Sequence, residues 1–143
     1  MKESVLQLRD YFITKTSVEL NQEFRLDEPS SLNVGDLSLE ISSNTLAHPD
    51  TREEIFKVEL RVAVKSENLK KCNIPYCFDI SSVGIFVLGE SCQENREKVA
   101  VINGASILFS SVRDYLAGIT GQGPFRRIVL PTVDLRSLEK NEK

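Results

Sequence analysis

Between Val5 and Leu88 the chain alternates hydrophobic and polar residues in several short stretches, and beyond Asn95 that period of two gives way to the longer period of a helix. The first stretch, VLQLRDYFITKTSVEL at 5–20, alternates imperfectly. Val18 and Leu20 share a face, but Phe12 and Ile13 are adjacent and break the pattern, which predicts a strand interrupted by a bulge. QEFRLDEPSSLN follows; with Pro29 and two serines it reads as a loop or an irregular edge. From Asp36 to Ser42 the pattern DLSLEIS sets Leu37, Leu39 and Ile41 against Ser38 and Glu40, a half-buried strand. Residues 55–65 alternate most regularly. Phe56, Val58, Leu60, Val62 and Val64 lie on one face and Lys57, Glu59, Arg61, Ala63 and Lys65 on the other, as in an antiparallel sheet with a dry and a wet side. In IPYCFDISSVGIFVLG, Tyr76, Phe78, Ile80, Ser82, Gly84, Phe86 and Leu88 share a face, while Val83, Ile85 and Val87 make the opposite one apolar too. This fourth strand is expected to be covered on both sides: by a helix on one, and by a loop, the C-terminal segment or another subunit on the other.

The run NREKVAVINGASILFSSVRDYLAGITGQG at 95–123 carries the helical period and leads into the extended PFRRIVLPTVDL. Residues 93–102 read as a short amphipathic piece whose Glu94 and Glu97 complement the helix dipole, and Asn103-Gly104 predicts a kink or interruption before the main helix at 105–120. Val101, Ala105, Leu108, Phe109, Val112, Tyr115, Leu116 and Ile119 fall within an arc of about 140°, wide enough to lie on a sheet. The opposite face carries Asn103, Ser106, Ile107, Ser110, Ala117 and Gly121, with only Arg113 and Asp114 ionic. Small, uncharged residues let another backbone approach closely, so this face reads as a subunit interface in preference to a solvated one. Gly121 and Gly123 with Pro124 stop the helix. Beyond them Phe125, Ile128, Val129, Leu130, Val133 and Leu135 form an apolar extended segment punctuated by Pro131, a strap closing the core or one wall of an apolar groove. The pattern predicts an α+β chain in which a helix closes a sheet, as one domain over residues 1–143.

Composition narrows the functions open to such a chain. With 143 residues, 41% hydrophobic and 27% charged, it has the makeup of one globular domain. The net charge is −3 and the basic residues are scattered, with Lys70-Lys71 and Arg126-Arg127 the only adjacent pairs, so nucleic acid is not an expected partner. No apolar run approaches the roughly 20 residues of a membrane helix. MKESVLQLRD carries charges where a signal peptide has its apolar stretch, so no membrane insertion and a cytoplasmic location are expected. Cys72, Cys77 and Cys92 are odd in number, lack CxxC spacing and have only His48 as an imidazole companion, which points to reduced thiols and neither a disulfide framework nor a metal site. His48 itself precedes Pro49 in a turn-rich stretch and reads as a solvated loop residue. No catalytic constellation and no cofactor site emerge, so the chain reads as a non-enzyme whose function comes from its surfaces.

GIFVLGE at 84–90, NGASILFSSVRDYLAGITGQGPF at 103–125 and LPTVDL at 130–135 resemble the SecB family of protein-export chaperones. The likeness is specific over roughly residues 84–135; earlier it rests on strand order and on ITKTSVEL and FKVELRVAVK. It implies an α+β subunit with a four-stranded antiparallel sheet covered by a long C-terminal helix, assembled as a homotetramer, a dimer of dimers. Such a protein holds unfolded polypeptides on long apolar grooves without ATP. Phe24 and Leu26 in the loop after the first strand, and Phe125, Ile128, Leu130 and Val133 in the exit segment, are the expected client-binding residues. Phe78, Ile80 and Ser82 match the family's alternating interface positions, beside Ser106, Ile107 and Ser110 on the back of the helix. Members that deliver clients to the SecA motor present an acidic sheet face; Asp79 is the contact this implies here, but Ser17 and Asn21 stand about where two further carboxylates would be. Arg126-Arg127 replaces a proline-containing pair, and the C-terminal helix is reduced to RSLEKNEK. These departures leave open a chaperone dedicated to one partner, such as an antitoxin. A hot-dog-type thioesterase also wraps a sheet around a long helix, but would need a carboxylate or histidine at that helix, where Asp114 on the polar face is the only candidate.

Overall fold

A computed structural model describes residues 2, 4–46, 54–89 and 94–136. Strands β1 (Leu6–Leu20), β2 (Leu37–Leu46), β3 (Glu54–Val64) and β4 (Tyr76–Leu88) make one antiparallel sheet in the order β1-β4-β3-β2. A single helical turn, α1 (Leu69–Cys72), leads into β4, and α2 (Arg96–Thr120) lies across the sheet over its two central strands. The alternation read from the chain fixes which face meets the helix. The five inward residues of β3, Phe56, Val58, Leu60, Val62 and Val64, are buried, with Tyr76, Phe78, Ile80, Phe86 and Leu88 of β4 beside them and Leu108, Val112 and Leu116 of α2 above. His48, Cys92 and residues 137–143 of the terminal RSLEKNEK lie outside the described residues.

The irregular first stretch is indeed one strand, with two irregularities in its ladder to β4, between Leu8 and Asp10 and between Ile13 and Lys15. The shifts allow Phe12 to stand beside Val83 on the outer face while Ile13 stands beside Ser82 on the inner one. β1 is an edge strand, paired on one side only, and Leu8, Tyr11, Phe12 and Leu20 are exposed along it, with Val5 exposed just before it. On the outer face of β4, Val83 and Val87 are buried. Cross-strand neighbours flank them in register, Phe12 and Glu59 for Val83, Gln7 and Ile55 for Val87, so long side chains on adjoining strands shade a central strand.

The helix departs from expectation at its start and middle. It runs unbroken through Asn103-Gly104. Gly104 is instead a point of close approach to the sheet: a Cβ there would stand 3.1 Å from Phe86 Cε2 and 3.2 Å from Val58 Cγ2. A glycine costs an exposed helix about 1 kcal/mol relative to alanine, and here it lets the helix lie directly on two core side chains. The helix begins at Arg96, after Asn95 in the left-handed region at φ 51°. Arg96 hangs this end on the sheet: its Nε donates to Glu54 Oε1 (3.0 Å), Nη1 to the Gly89 carbonyl (3.0 Å) and Nη2 to the Leu88 carbonyl (3.2 Å). At the far end the helix stops at Thr120 as expected, with Gly121 keeping φ −65°. Gly123 is required for a different reason, since any Cβ would collide with the Tyr76 hydroxyl.

Candidate functional site

Two extended segments meet at the start of β4. The first is the loop 21–32 between β1 and β2. Asn21 Nδ2 donates to the Ile74 carbonyl (2.9 Å) and its backbone N–H to the Pro75 carbonyl (2.8 Å), so the loop leaves β1 already tied to the residues that precede β4. Farther along, Asn73 is buried and receives the loop: the Arg25 N–H donates to its Oδ1 (2.9 Å), and its Nδ2 donates to the carbonyls of Arg25 (2.9 Å) and Glu28 (3.1 Å). The Ser31 N–H donates to the Cys72 carbonyl (2.9 Å). Backbone groups of an irregular segment need such partners when they lose water.

The second segment is the exit from α2. Thr120 Oγ1 donates to the Leu116 carbonyl (2.7 Å) and accepts from the Ile128 N–H (2.9 Å), turning the chain back against the end of the helix. The Phe125 N–H donates to the Tyr76 hydroxyl (3.2 Å). Ile128, Leu130 and Leu135 are buried in the main core and hold the segment down. The two segments touch through aromatic rings: Phe24 and Phe125 meet edge to face at 5.0 Å, and Phe125 and Tyr76 at 6.2 Å.

The expected groove residues therefore divide. Phe24 and Phe125 come together, half-buried, at the junction, Val133 is half-buried on the exit segment, and Leu26 stands 79% exposed at the loop's corner. Ile128 and Leu130 point into the core; the large apolar exit residue that faces out is Val129, 58% exposed. Polar anchors Asn21, Asn73 and Thr120 were not read as part of the site. Their only sequence signal was a polar residue beside an apolar run, because their partners are backbone groups on other segments.

Of the expected interface positions, Phe78, Ile80 and Ser82 lie on the inner face under the helix and are buried within the subunit's own core. This corrects their assignment to a subunit contact: a strand's inward residues are consumed by the helix that covers them. Ser106, Ile107 and Ser110 are exposed on the back of α2. Asp114 is exposed there too, on a helix that follows all four strands.

Asp79 lies on the outer face, engaged in ion pairs. Arg61 grips it through Nε (2.9 Å) and Nη2 (2.8 Å), Lys15 reaches it at 3.0 Å, and Arg61 Nη1 meets Glu40 at 3.0 Å. One row of alternating charge thus crosses all four strands. The Arg61 guanidinium holds the Asp79 carboxyl down at about 2 against the opposing effect of burial. A shallow concavity of about 500 Å³ opens here, lined among others by Phe12, Lys15, Glu40, Lys57, Glu59 and Arg61. Its acids are matched by bases, Lys57 pairing with Glu59 as well, so the face is not an acidic one. Among the described residues no helix is long and apolar enough to cross a membrane, and no group of three or more His, Cys, Asp or Glu is placed to hold a metal ion.

Large apolar groups stand exposed along the edge strand β1 and, on the two tethered segments, at Leu26 and Val129, surfaces of the kind that take up other chains. The chain is a member of the SecB family: the family described as preprotein translocase subunit SecB matches residues 2–143. It is similar to the protein-export protein SecB of Ehrlichia chaffeensis, with 28% identity over 140 residues that cover 91% of this chain and 75% of the relative. Among solved structures it resembles a protein of unknown function from Streptococcus agalactiae, with a TM-score of 0.58, 9% identity and 89% and 97% of the two chains covered. It also resembles the Mycobacterium tuberculosis Rv1957 SecB-like chaperone in complex with a ChAD peptide from the Rv1956 HigA1 antitoxin, with a TM-score of 0.48, 14% identity and 90% of each chain covered. Membership makes the protein a SecB-type chaperone for non-native polypeptides.

Proposed function

We propose that this chaperone holds extended client segments across the junction of loop 21–32 and the exit segment, without catalysis and without a cofactor, in the cytoplasm. The observation that carries the reading is Leu26, a large apolar side chain 79% exposed on a hydrogen-bonded loop whose Phe24 meets Phe125 edge to face. Apolar surface gains roughly 25 cal/mol per Å² on burial whatever the client's sequence, which suits a binder of chains that share little beyond exposed side chains and unpaired backbone. Val129 and Val133 extend the surface along the exit segment.

The protein assembles through surfaces that one chain leaves open, the edge of β1 and the back of α2 at Ser106, Ile107 and Ser110, as a homotetramer. Asp79 bears on the choice of downstream partner. Paired with both Arg61 and Lys15, it offers little free negative charge to a SecA-like motor. This favours a dedicated partner, such as an antitoxin, over general export.

Aggregation of an unrelated, slowly refolding protein, followed by light scattering with one molar equivalent of assembled chaperone, tests the reading. Suppression is expected, and Leu26→Asp should weaken client binding by about tenfold or more, because burying a leucine contributes about 1.5–3 kcal/mol. No suppression by the wild type would end the holdase reading.

A further inference from the structure

We propose that Asn73 is the positioning residue of the groove: its buried side chain sets where the loop bearing Phe24 and Leu26 stands relative to Phe125. The inference rests on the holdase reading and concerns how the surface is held. Asn73 occupies the left-handed region, at φ 48° and ψ 47°, where the backbone N–H of this helix-ending residue bonds the Leu69 carbonyl. Glycine fits that backbone better, and asparagine is one of the few side-chain-bearing residues that tolerate it, so a side chain here calls for a use. Its Nδ2 donates to the carbonyls of Arg25 and Glu28, the two ends of a turn closed by the Glu28 N–H on the Arg25 carbonyl (3.4 Å). Pulling both ends of that turn inward pushes its corner, Leu26-Asp27, outward. The exposure of Leu26 is thus a consequence of where Asn73 holds Arg25 and Glu28. Ser30 Oγ adds a bond to the Asn73 carbonyl (2.6 Å) from farther along the loop. Three residues on, Tyr76 accepts the Phe125 N–H, so residues 73–76 fix both walls of the groove against the same short piece of chain.

Asn73→Gly keeps the backbone conformation and deletes the side-chain bonds; Ser30→Ala is a milder release of the same loop. Two measurements on the full-length assembled protein separate the possibilities. Hydrogen exchange should show amides of residues 23–31 protected less in both variants than in the wild type, with α2 unchanged. Affinity for a fluorescently labelled, reduced and alkylated lysozyme chain should fall about fivefold in Asn73→Gly, and by less than about twofold when the same change is made in a Leu26→Ala background, since coupled residues act non-additively. Equal losses in the two backgrounds would mean a general loss of stability and would overturn the proposal, as would loop amides that exchange no faster. A wild type that binds the probe while Asn73→Gly and Ser30→Ala bind it equally well overturns this inference alone. A wild type that does not bind the probe overturns the holdase reading and this inference with it.

Discussion

Asp79 and Asp36 are the carboxylates most committed to the folded state. Asp36 is buried at the entry to β2, where the Asn33 backbone N–H donates to Oδ2 at 2.9 Å and lowers its pKa despite burial, and Asn68 Nδ2 donates to Oδ1 at 3.1 Å. Asp79 is held at about 2 by Arg61 first and Lys15 after it. A carboxyl whose folded pKa lies below its unfolded value contributes stability above the unfolded value and loses it as pH falls through the folded one. Stability is therefore expected to hold from neutrality down to about pH 4 and to decline toward pH 2. Urea midpoints across that range check this. Asp79→Asn should begin about 1 kcal/mol less stable at neutral pH and lose less on acidification; an unchanged acid slope would show that the row of charges contributes nothing. At this scale the sequence was least informative. Apolar residues announce their burial through period, whereas Asn73, Arg96 and Thr120 act on backbone groups whose proximity only the fold creates.

Whole elements were far more legible. β3 was read nearly to its ends because a sheet with one wet face writes a period of two into the chain. Fifteen residues with a broken period still gave β1, because an extra residue in a ladder moves the alternation to the other face without ending the strand. The helix was misjudged at Asn103-Gly104, where a weak local preference was overruled by contact with Phe86 and Val58. That contact predicts an asymmetry. Gly104→Ala should change stability by less than about 1 kcal/mol, gained helix propensity offsetting a Cβ tight against both side chains. Gly104→Val should cost about 2–3 kcal/mol by lifting the helix, as read from urea denaturation. Equal effects would mean that helix and sheet are less closely packed at this point than the distances require.

On the scale of the whole molecule, one chain leaves large apolar residues exposed on more than one surface. The back of α2 and the open side of β1 both face out, and static light scattering should give about four times the 16.1 kDa of a single chain at micromolar concentration. A mass of one chain would remove assembly from the account and leave both surfaces to solvent. At this level the letters alone do not tell an inward residue from one that meets another chain: Phe78, Ile80 and Ser82 went to the core, while Ser106, Ile107 and Ser110 stand exposed on the back of the helix. The open side of β1 carries a hazard of its own, because a long strand edge left open before assembly offers unfolded chains a template for endless stacking. The two irregularities in β1 divide its ladder into the blocks Leu6–Leu8, Asp10–Ile13 and Lys15–Leu20. A newcomer strand meets a slip in spacing after each block, so the edge favours a partner shaped to the same interruptions over a long stack of unlike strands.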